Sequence, residues 1–414
     1  MPKSLNVLYY NTFLPMKMGE GLVSRHFLQA ALRLDGWQLQ TIPPVTSKML
    51  AQSNVAERHK MVAKKGGKKR PWLLLRRRLR RLRSPMSRLP LAPYLYARQQ
   101  TQLLTGALKQ QAYDLLLLHL SQQDLAVLAR LCHQTNLPIV MRAPAPLAYQ
   151  ADHVIGRYMS PKDRAHEKYL YEAADAILVI SEGMKQLFVA EGVAPQKIHI
   201  VPNGIDLAGF AANGAEGQAV RQRLGLQGRK VVGYVGGFWP GNDMDTLLKA
   251  WRRVEQAAPD TTLLLVGYGP ELLAAQALSA ELGLKNCIWT GRVDFSQVPE
   301  HMAAMDVGVG PYTQEALAFV SPLKVIEYTA MGLPVVATRG GQITELIEDG
   351  RTGLTYEAGN SAQLAEHILN LLAAPDEARQ MGQQARQHIQ NWHSWDNMAQ
   401  TVLSICQNVV EQAT

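Results

Sequence analysis

Lys324 and Glu327 lie one helical turn apart in the stretch Ser321-Pro322-Leu323-Lys324-Val325-Ile326-Glu327-Tyr328-Thr329-Ala330-Met331-Gly332-Leu333-Pro334-Val335-Val336-Ala337. A cation and a carboxylate on one helix face can divide a ligand between them. The ammonium meets a phosphate, and the carboxylate accepts hydrogen bonds from a sugar diol. The segment that carries them reads as a capped helix followed by a buried strand. Ser321 is placed as the N-cap and Pro322 in the opening turn, where a missing N–H costs nothing. Val325, Ile326 and Tyr328–Met331 supply an apolar face, Gly332 suits a left-handed close, and Pro334 follows as a stop. Leu333–Ala337 then reads as a short buried strand. Free N–H groups at such a helix start form an anion site. An ordinary α/β unit with a solvated Lys–Glu pair is the plain alternative.

His119 is the second candidate. It closes Tyr113-Asp114-Leu115-Leu116-Leu117-Leu118-His119, whose consecutive leucines predict a strand buried on both faces of a parallel sheet. Ligands of open α/β sheets bind at that carboxyl end, and a loop histidine without a role is the alternative. Gly19 and Gly21 form a third feature, in a loop between a strand at 5–10 and a helical pattern from Leu22 to Leu34 closed by Gly36. Glycines there let backbone approach a ligand, or simply make a turn.

The elements that must position these residues alternate strand and helix along the chain. That pattern predicts an α/β fold of two doubly wound parallel-sheet domains, each Rossmann-like, since 414 residues exceed one compact core. Strands are expected at 5–10, 38–42, 113–119, 137–141, 173–181 and 198–206. The alternation restarts at 230–238, with a helix at 245–257 and strands at 261–266, 286–290, 306–309 and 333–337. The Ala- and Gly-rich run 208–217 reads as the linker. The expected division is 1–207, 208–393, and a C-terminal helix at 394–414 packing back on the first domain. Two such sheets place a cleft between their carboxyl edges.

Composition narrows the class. With 47% apolar and 19% charged residues the chain is globular. Cys132, Cys287 and Cys406 are far apart and odd in number, which argues against a disulfide framework or zinc site and fits a reducing compartment. Lys3 leads straight into a strand without a signal peptide's apolar core, and no run of 18 apolar residues exists, so a cytoplasmic location is expected. The net charge of +9 is local. Twelve Lys and Arg fall between Lys60 and Arg83 with no acid among them, and without these the remainder carries −3. Within a predicted insertion at 58–88, Trp72, Leu75, Leu79 and Leu82 recur at helical spacing opposite Arg76, Arg77, Arg78, Arg80 and Arg81. That is the pattern of a helix lying on an anionic bilayer surface, where each basic side chain is worth roughly 1 kcal/mol. Two alternatives stand beside it. One is nucleic-acid contact, although no aromatic platform or base-reading motif accompanies the arginines. The other is a solvated insertion without a partner.

Taken together, several stretches resemble the family-4 glycosyltransferases of the GT-B fold. Ala174-Asp175, Val179-Ile180-Ser181 and Val201-Pro202-Asn203-Gly204-Ile205-Asp206 are similar to that family's end of the first domain. Ser321–Ala337, with Gly340-Gly341 and Glu345-Leu346-Ile347 beyond it, is similar to its donor-binding motif. The resemblance covers most of the chain from about residue 110 onward. It implies retaining, metal-independent transfer of a sugar from a UDP- or GDP-sugar, with no cofactor. By position it assigns Glu327 to the nucleotide ribose. The pyrophosphate goes to the segment from Ser321 through Leu323, Lys324 and Val325, and the base to Arg292 and Val293. Gly19 and Gly21 approach the donor phosphates from the first domain, and His119 faces the transferred sugar, with Lys324 sharing the reaction centre. Departing nucleoside diphosphate gathers negative charge, which preorganised N–H groups and cations stabilise.

The chain departs from the family's pattern. Phe319 stands where the first of two paired glutamates is usual, and Glu315 is out of register with it. Gly237-Phe238-Trp239-Pro240-Gly241-Asn242-Asp243 replaces the usual Arg and Lys after the first strand of the second domain. Lys324 is then the remaining phosphate cation, with Arg339 a second candidate. The reading that unites these features is a hexosyltransferase at the cytoplasmic membrane face, acting on a lipid-linked or glycan acceptor, with no nucleic-acid partner expected. A non-catalytic nucleotide-binding scaffold and a nucleotide-sugar epimerase of the same fold are its rivals.

Overall fold

The computed structural model describes residues 4–11, 20–42, 92–143, 145–152, 159–210, 214–389 and 394–414. Its strands are β1 (Leu5–Tyr10), β2 (Trp37–Ile42), β3 (Leu115–His119), β4 (Ile139–Arg142), β5 (Ala176–Val179), β6 (Ile198–Ile200), β7 (Lys230–Val235), β8 (Thr261–Val266), β9 (Cys287–Gly291), β10 (Val307–Gly310), β11 (Val335–Thr338) and β12 (Leu354–Tyr356). They form two six-stranded sheets ordered β2-β1-β3-β4-β5-β6 and β12-β11-β10-β7-β8-β9. Every pairing is parallel. In each sheet the strand order reverses once, between β1 and β3 in the first and between β7 and β10 in the second. Crevices open outside the carboxyl ends of strands at such reversals.

The apolar runs of the sequence explain why both faces of each sheet are covered. Leu116 and Leu118 join one cluster with Leu8, Tyr10, Leu128 and Phe188. Leu115 and Leu117 alternate to the other face, beside Val7, Phe27, Met398, Val402 and Cys406. Each fully buried leucine contributes roughly 1.5–3 kcal/mol, so this strand alone anchors both layers. The helix Trp395–Ala413 supplies the last of those partners and thus lies on the first sheet, against the helix Glu20–Ala31. The second sheet is covered on one face by Val325 and Ile326 of the helix Leu323–Met331. Leu247, Trp251, Leu364 and Ile368 cover the other.

Some boundaries differ from the sequence expectation. The run at 208–217 is not all linker, because Gly214–Leu224 is a helix. A Cβ on Gly217 would lie 2.3 Å from the Ala303 carbonyl oxygen, so the small residues there serve close packing rather than flexibility. Gly21 sits inside the helix Glu20–Ala31, not in a loop before it. Gly19 and the predicted basic insertion, with Trp72, Leu75, Arg76, Arg77, Arg78, Leu79, Arg80 and Arg81, fall outside the described residues. Among the described residues no helix is long and apolar enough to cross a membrane.

Candidate active site

The helix Leu323–Met331 begins at the reversal between β7 and β10, and its packing fixes which way its polar face looks. Tyr328 is fully buried beneath the sheet, and its hydroxyl oxygen accepts the Val235 amide at 2.7 Å. A Cβ on Gly308 of β10 would come within 2.8 Å of the Tyr328 ring, so glycine at that position lets the helix settle on the strand. Gly332 closes the helix in the left-handed region at φ 71°. Lys324 and Glu327, one turn apart, are thereby carried at the carboxyl edge of the second sheet, both half-buried.

The start of this helix differs from the expected capping. Pro322 has φ −81° and ψ 58°, and the Leu323 amide donates to the Ser321 carbonyl at 2.8 Å. Those values describe an inverse γ-turn centred on Pro322, which itself takes the cap position. Ser321 does not cap the helix; its hydroxyl accepts the Asn203 Nδ2 amide at 2.9 Å instead. The turn also occupies the Leu323 amide, and the Val325 amide donates to the Pro322 carbonyl at 2.8 Å. Of the three N–H groups expected to grip an anion, the Lys324 amide is the one without a described acceptor.

The Lys324 ammonium donates to Asn242 Oδ1 at 2.5 Å. It lies 4.3 Å from the Tyr312 ring centroid and 4.9 Å from that of Tyr234. When the lysine is charged, cation–π attraction in a partly desolvated setting is worth about 1–2 kcal/mol per ring. Asn242 is held by its own amide donating to the Gly237 carbonyl at 3.1 Å. The loop after β7, which lacks the usual cations, therefore fixes the lysine of the neighbouring helix. Burial pulls the Lys324 pKa down to about 7, only partly opposed by the Glu327 charge. Burial likewise pushes Glu327 up to about 8, with Lys324 opposing. No described hydrogen bond occupies the Glu327 carboxyl, which leaves both its oxygens available to a diol. Arg339, the second candidate cation, is spoken for: it pairs with Asp349 at 2.8 Å and Glu357 at 3.5 Å.

Further along the same sheet edge, the Arg292 guanidinium lies 5.2 Å from the centroid of the Tyr268 ring. Val293 beside it packs on the second-domain core. Phe319 meets Tyr149 edge-on across the cleft, with ring centroids 6.2 Å apart, and packs against the first-domain core. Glu315 is exposed and does not substitute for the missing carboxylate.

On the first sheet, His119 ends β3 at the other reversal and is fully buried. Its Nδ1 is 3.1 Å from Asn11 Nδ2, which also contacts Tyr9 Oη at 2.6 Å and Ser24 Oγ at 2.8 Å. Burial first, and Arg142 second, hold the imidazole pKa well below its ordinary value, so the ring is neutral. Arg142 is the register partner of His119 on β4, and it donates to Asn203 Oδ1 at 2.6 Å. The two domains also meet where Gln342 Nε2 donates to the Ile180 carbonyl at 3.0 Å. The sequence reading assigned no role to Asn11, Arg142, Asn203, Tyr234, Asn242 or Tyr312. Asn11, Arg142, Tyr234 and Tyr312 lie at or just beyond the carboxyl end of a central strand, the place that flags a ligand site in this kind of sheet, and Asn242 lies in the loop that leaves β7.

Comparison with known proteins shows the family and the fold. A family model described as Glycosyltransferase Family 4 matches residues 56–208, and one described as Glycosyl transferases group 1 matches residues 229–374. The chain is 29% identical over 262 residues to the GDP-mannose-dependent alpha-(1-6)-phosphatidylinositol monomannoside mannosyltransferase of Mycolicibacterium smegmatis, covering 62% of this chain and 69% of that one. In fold it is similar to the HepE protein of Anabaena, solved in complex with UDP and glucose (TM-score 0.70, 19% identity, 97% of this chain and 99% of that). It is likewise similar to a sucrose-phosphate synthase from Thermosynechococcus elongatus (TM-score 0.73, 18% identity, 99% and 100% of the two chains). Those structures share the architecture of two parallel sheets flanked by helices.

Proposed function

Because the chain belongs to the family-4, group 1 glycosyltransferases and is a glycosyltransferase of the GT-B type, we propose that it moves a hexose, with retention, from a UDP- or GDP-sugar to a lipid-linked or glycan acceptor. The observation that carries this reading is the placement of Lys324 and Glu327 at the switch point of the second sheet. There the open Lys324 amide and the ammonium above it meet the diphosphate, and Glu327 takes the ribose hydroxyls one turn deeper. The Tyr268–Arg292 stack supports placement of the base at the same edge. The relative in Mycolicibacterium uses GDP-mannose and the Anabaena structure holds UDP and glucose, so both nucleotides are candidates.

In this proposal the leaving diphosphate is stabilised by the chain's own groups rather than by a bound metal. Lys324 supplies the positive charge that the loop after β7 does not. His119, uncharged, borders the sugar from the first domain as a hydrogen-bonding group. The basic stretch 60–83 holds the enzyme at an anionic membrane on the cytoplasmic side, beside its acceptor.

Glu327→Ala and Lys324→Ala test the assignment. Loss of hydrogen bonds to a charged acceptor costs about 1.5–3 kcal/mol, so Glu327→Ala weakens GDP or UDP binding by roughly ten- to a hundred-fold. Lys324→Ala acts where charge develops and lowers turnover on the order of a hundred-fold. Kinetics like those of the parent in both variants would remove the donor site from this helix.

A further inference from the structure

We infer that Asn203 is a positioning residue for the donor helix, and that it sets that helix against the reaction side of the first domain. The inference rests on the donor-site reading above. Asn203 is 1% exposed and stands where the chain leaves the first sheet. Both ends of its amide are used. Its oxygen accepts from the Arg142 guanidinium at 2.6 Å, and its nitrogen donates to the Ser321 hydroxyl at 2.9 Å. A flipped amide would point N–H groups at a guanidinium that can only donate, so one orientation is enforced.

The two ends of this link matter because of what they hold. Arg142 ends β4 in register with His119, so it belongs to the strand edge that borders the transferred sugar. Ser321 opens the inverse γ-turn from which the donor helix springs, and no side chain caps that helix. Backbone bonds tie the turn to its own helix, from the Leu323 amide to Ser321 and from the Val325 and Ile326 amides to Pro322. What sets turn and helix together against the first domain is the bond from Asn203 to the Ser321 hydroxyl. The phosphate grip around Lys324 is brought to the His119 edge only while the two domains stand in this arrangement. In the donor-site reading, ground-state nucleotide affinity comes chiefly from Glu327, Lys324 and the base platform, and among the described bonds Asn203 joins Arg142 and Ser321 rather than these. Removing the link should thus misalign the reaction more than it weakens binding.

The experiment uses the full-length protein with three changes: Asn203→Ala, Ser321→Ala and the pair together. GDP and UDP affinities are taken by calorimetry, turnover from nucleotide release with GDP-mannose and UDP-glucose, and backbone exchange from deuterium uptake of the unliganded protein. Asn203→Ala is expected to leave nucleotide affinity within about threefold, and each single change to lower turnover on the order of ten- to a hundred-fold, the cost of a small misplacement. The double change is expected to match the worse single one, because both remove the same link. Exchange around Ser321–Ile326 should quicken by at least about fivefold, the factor one neutral hydrogen bond supplies, without a change elsewhere in the second domain.

Several results overturn the inference alone: turnover of Ser321→Ala within about twofold of the parent, multiplicative losses in the double variant, or unchanged exchange at 321–326. Ser321 is half-buried, so its variant decides the matter even where Asn203→Ala fails to fold. A parent that binds neither GDP nor UDP overturns the donor-site reading, and this inference with it.

Discussion

Donor binding should turn a largely neutral Lys324–Glu327 pair into an ion pair, and two variants can split that change into opposite proton movements. Burial holds Lys324 at about 7 against an ordinary 10.5, and Glu327 at about 8 against 4.5. At about pH 7.5, between those two values, burial favours the neutral lysine and the protonated glutamate. A diphosphate beside the ammonium restores the lysine's charge and takes up most of a proton. Ribose hydroxyls donating to Glu327 favour its carboxylate and release a similar amount. The parent should therefore show almost no net proton exchange near that pH. In Glu327→Gln the release is gone, and the lysine has lost the charge that raised its pKa, so uptake should approach one proton. In Lys324→Met the uptake is gone and release should approach one proton. Calorimetry of GDP and UDP binding in phosphate and in Tris reads the difference, because Tris absorbs much more heat on giving up a proton. The heat should be more endothermic in Tris for Glu327→Gln, more exothermic in Tris for Lys324→Met, and nearly buffer-independent for the parent. If the two variants shifted in the same direction, or neither shifted, the pair would not be the group that meets the donor's charge.

Three further outcomes are expected. His119 is held neutral by burial. Below about pH 6.5 the unfolded imidazole binds a proton that the folded one refuses, so stability falls as pH drops through that point. His119→Gln should flatten this acid limb in urea titrations, leaving the smaller contributions of His199 and His301; an unaltered limb would mean that His119 is not the buried neutral group. Tyr328→Phe leaves the Val235 amide unpaired in the core and should cost about 1–3 kcal/mol of unfolding free energy, and parent-like stability would show that the bond at 2.7 Å carries no weight. Replacing Arg76–Arg81's five arginines with Gln should release the enzyme from anionic vesicles while donor hydrolysis in solution persists, and equal sedimentation of variant and parent would refute the membrane assignment.

The sequence declared the scaffold because local patterns dictate it. Four leucines at 115–118 can only be accommodated with two on each face of a sheet, and the clusters that receive them lie on opposite sides. Gly332 and the strand after it were legible for the same reason, since a left-handed close and a buried run are properties of a few adjacent residues. The site was legible only in part. Lys324 and Glu327 share a helix face, so their pairing follows from spacing alone. Their partners come from elsewhere: Asn242 is 82 residues from Lys324, and Asn203 is 118 residues from Ser321. Pro322 shows what this distance does to a local reading. A serine–proline pair before an apolar run signals a cap and a first turn, yet here the hydroxyl is drawn across the domain gap and the proline is left to make a γ-turn. The same logic applies to the loop after β7. By composition it carries no cation, but in space its Asn242 holds Lys324. The composition of one segment thus does not fix the charge beside it, because the fold can bring in a side chain from a neighbouring helix.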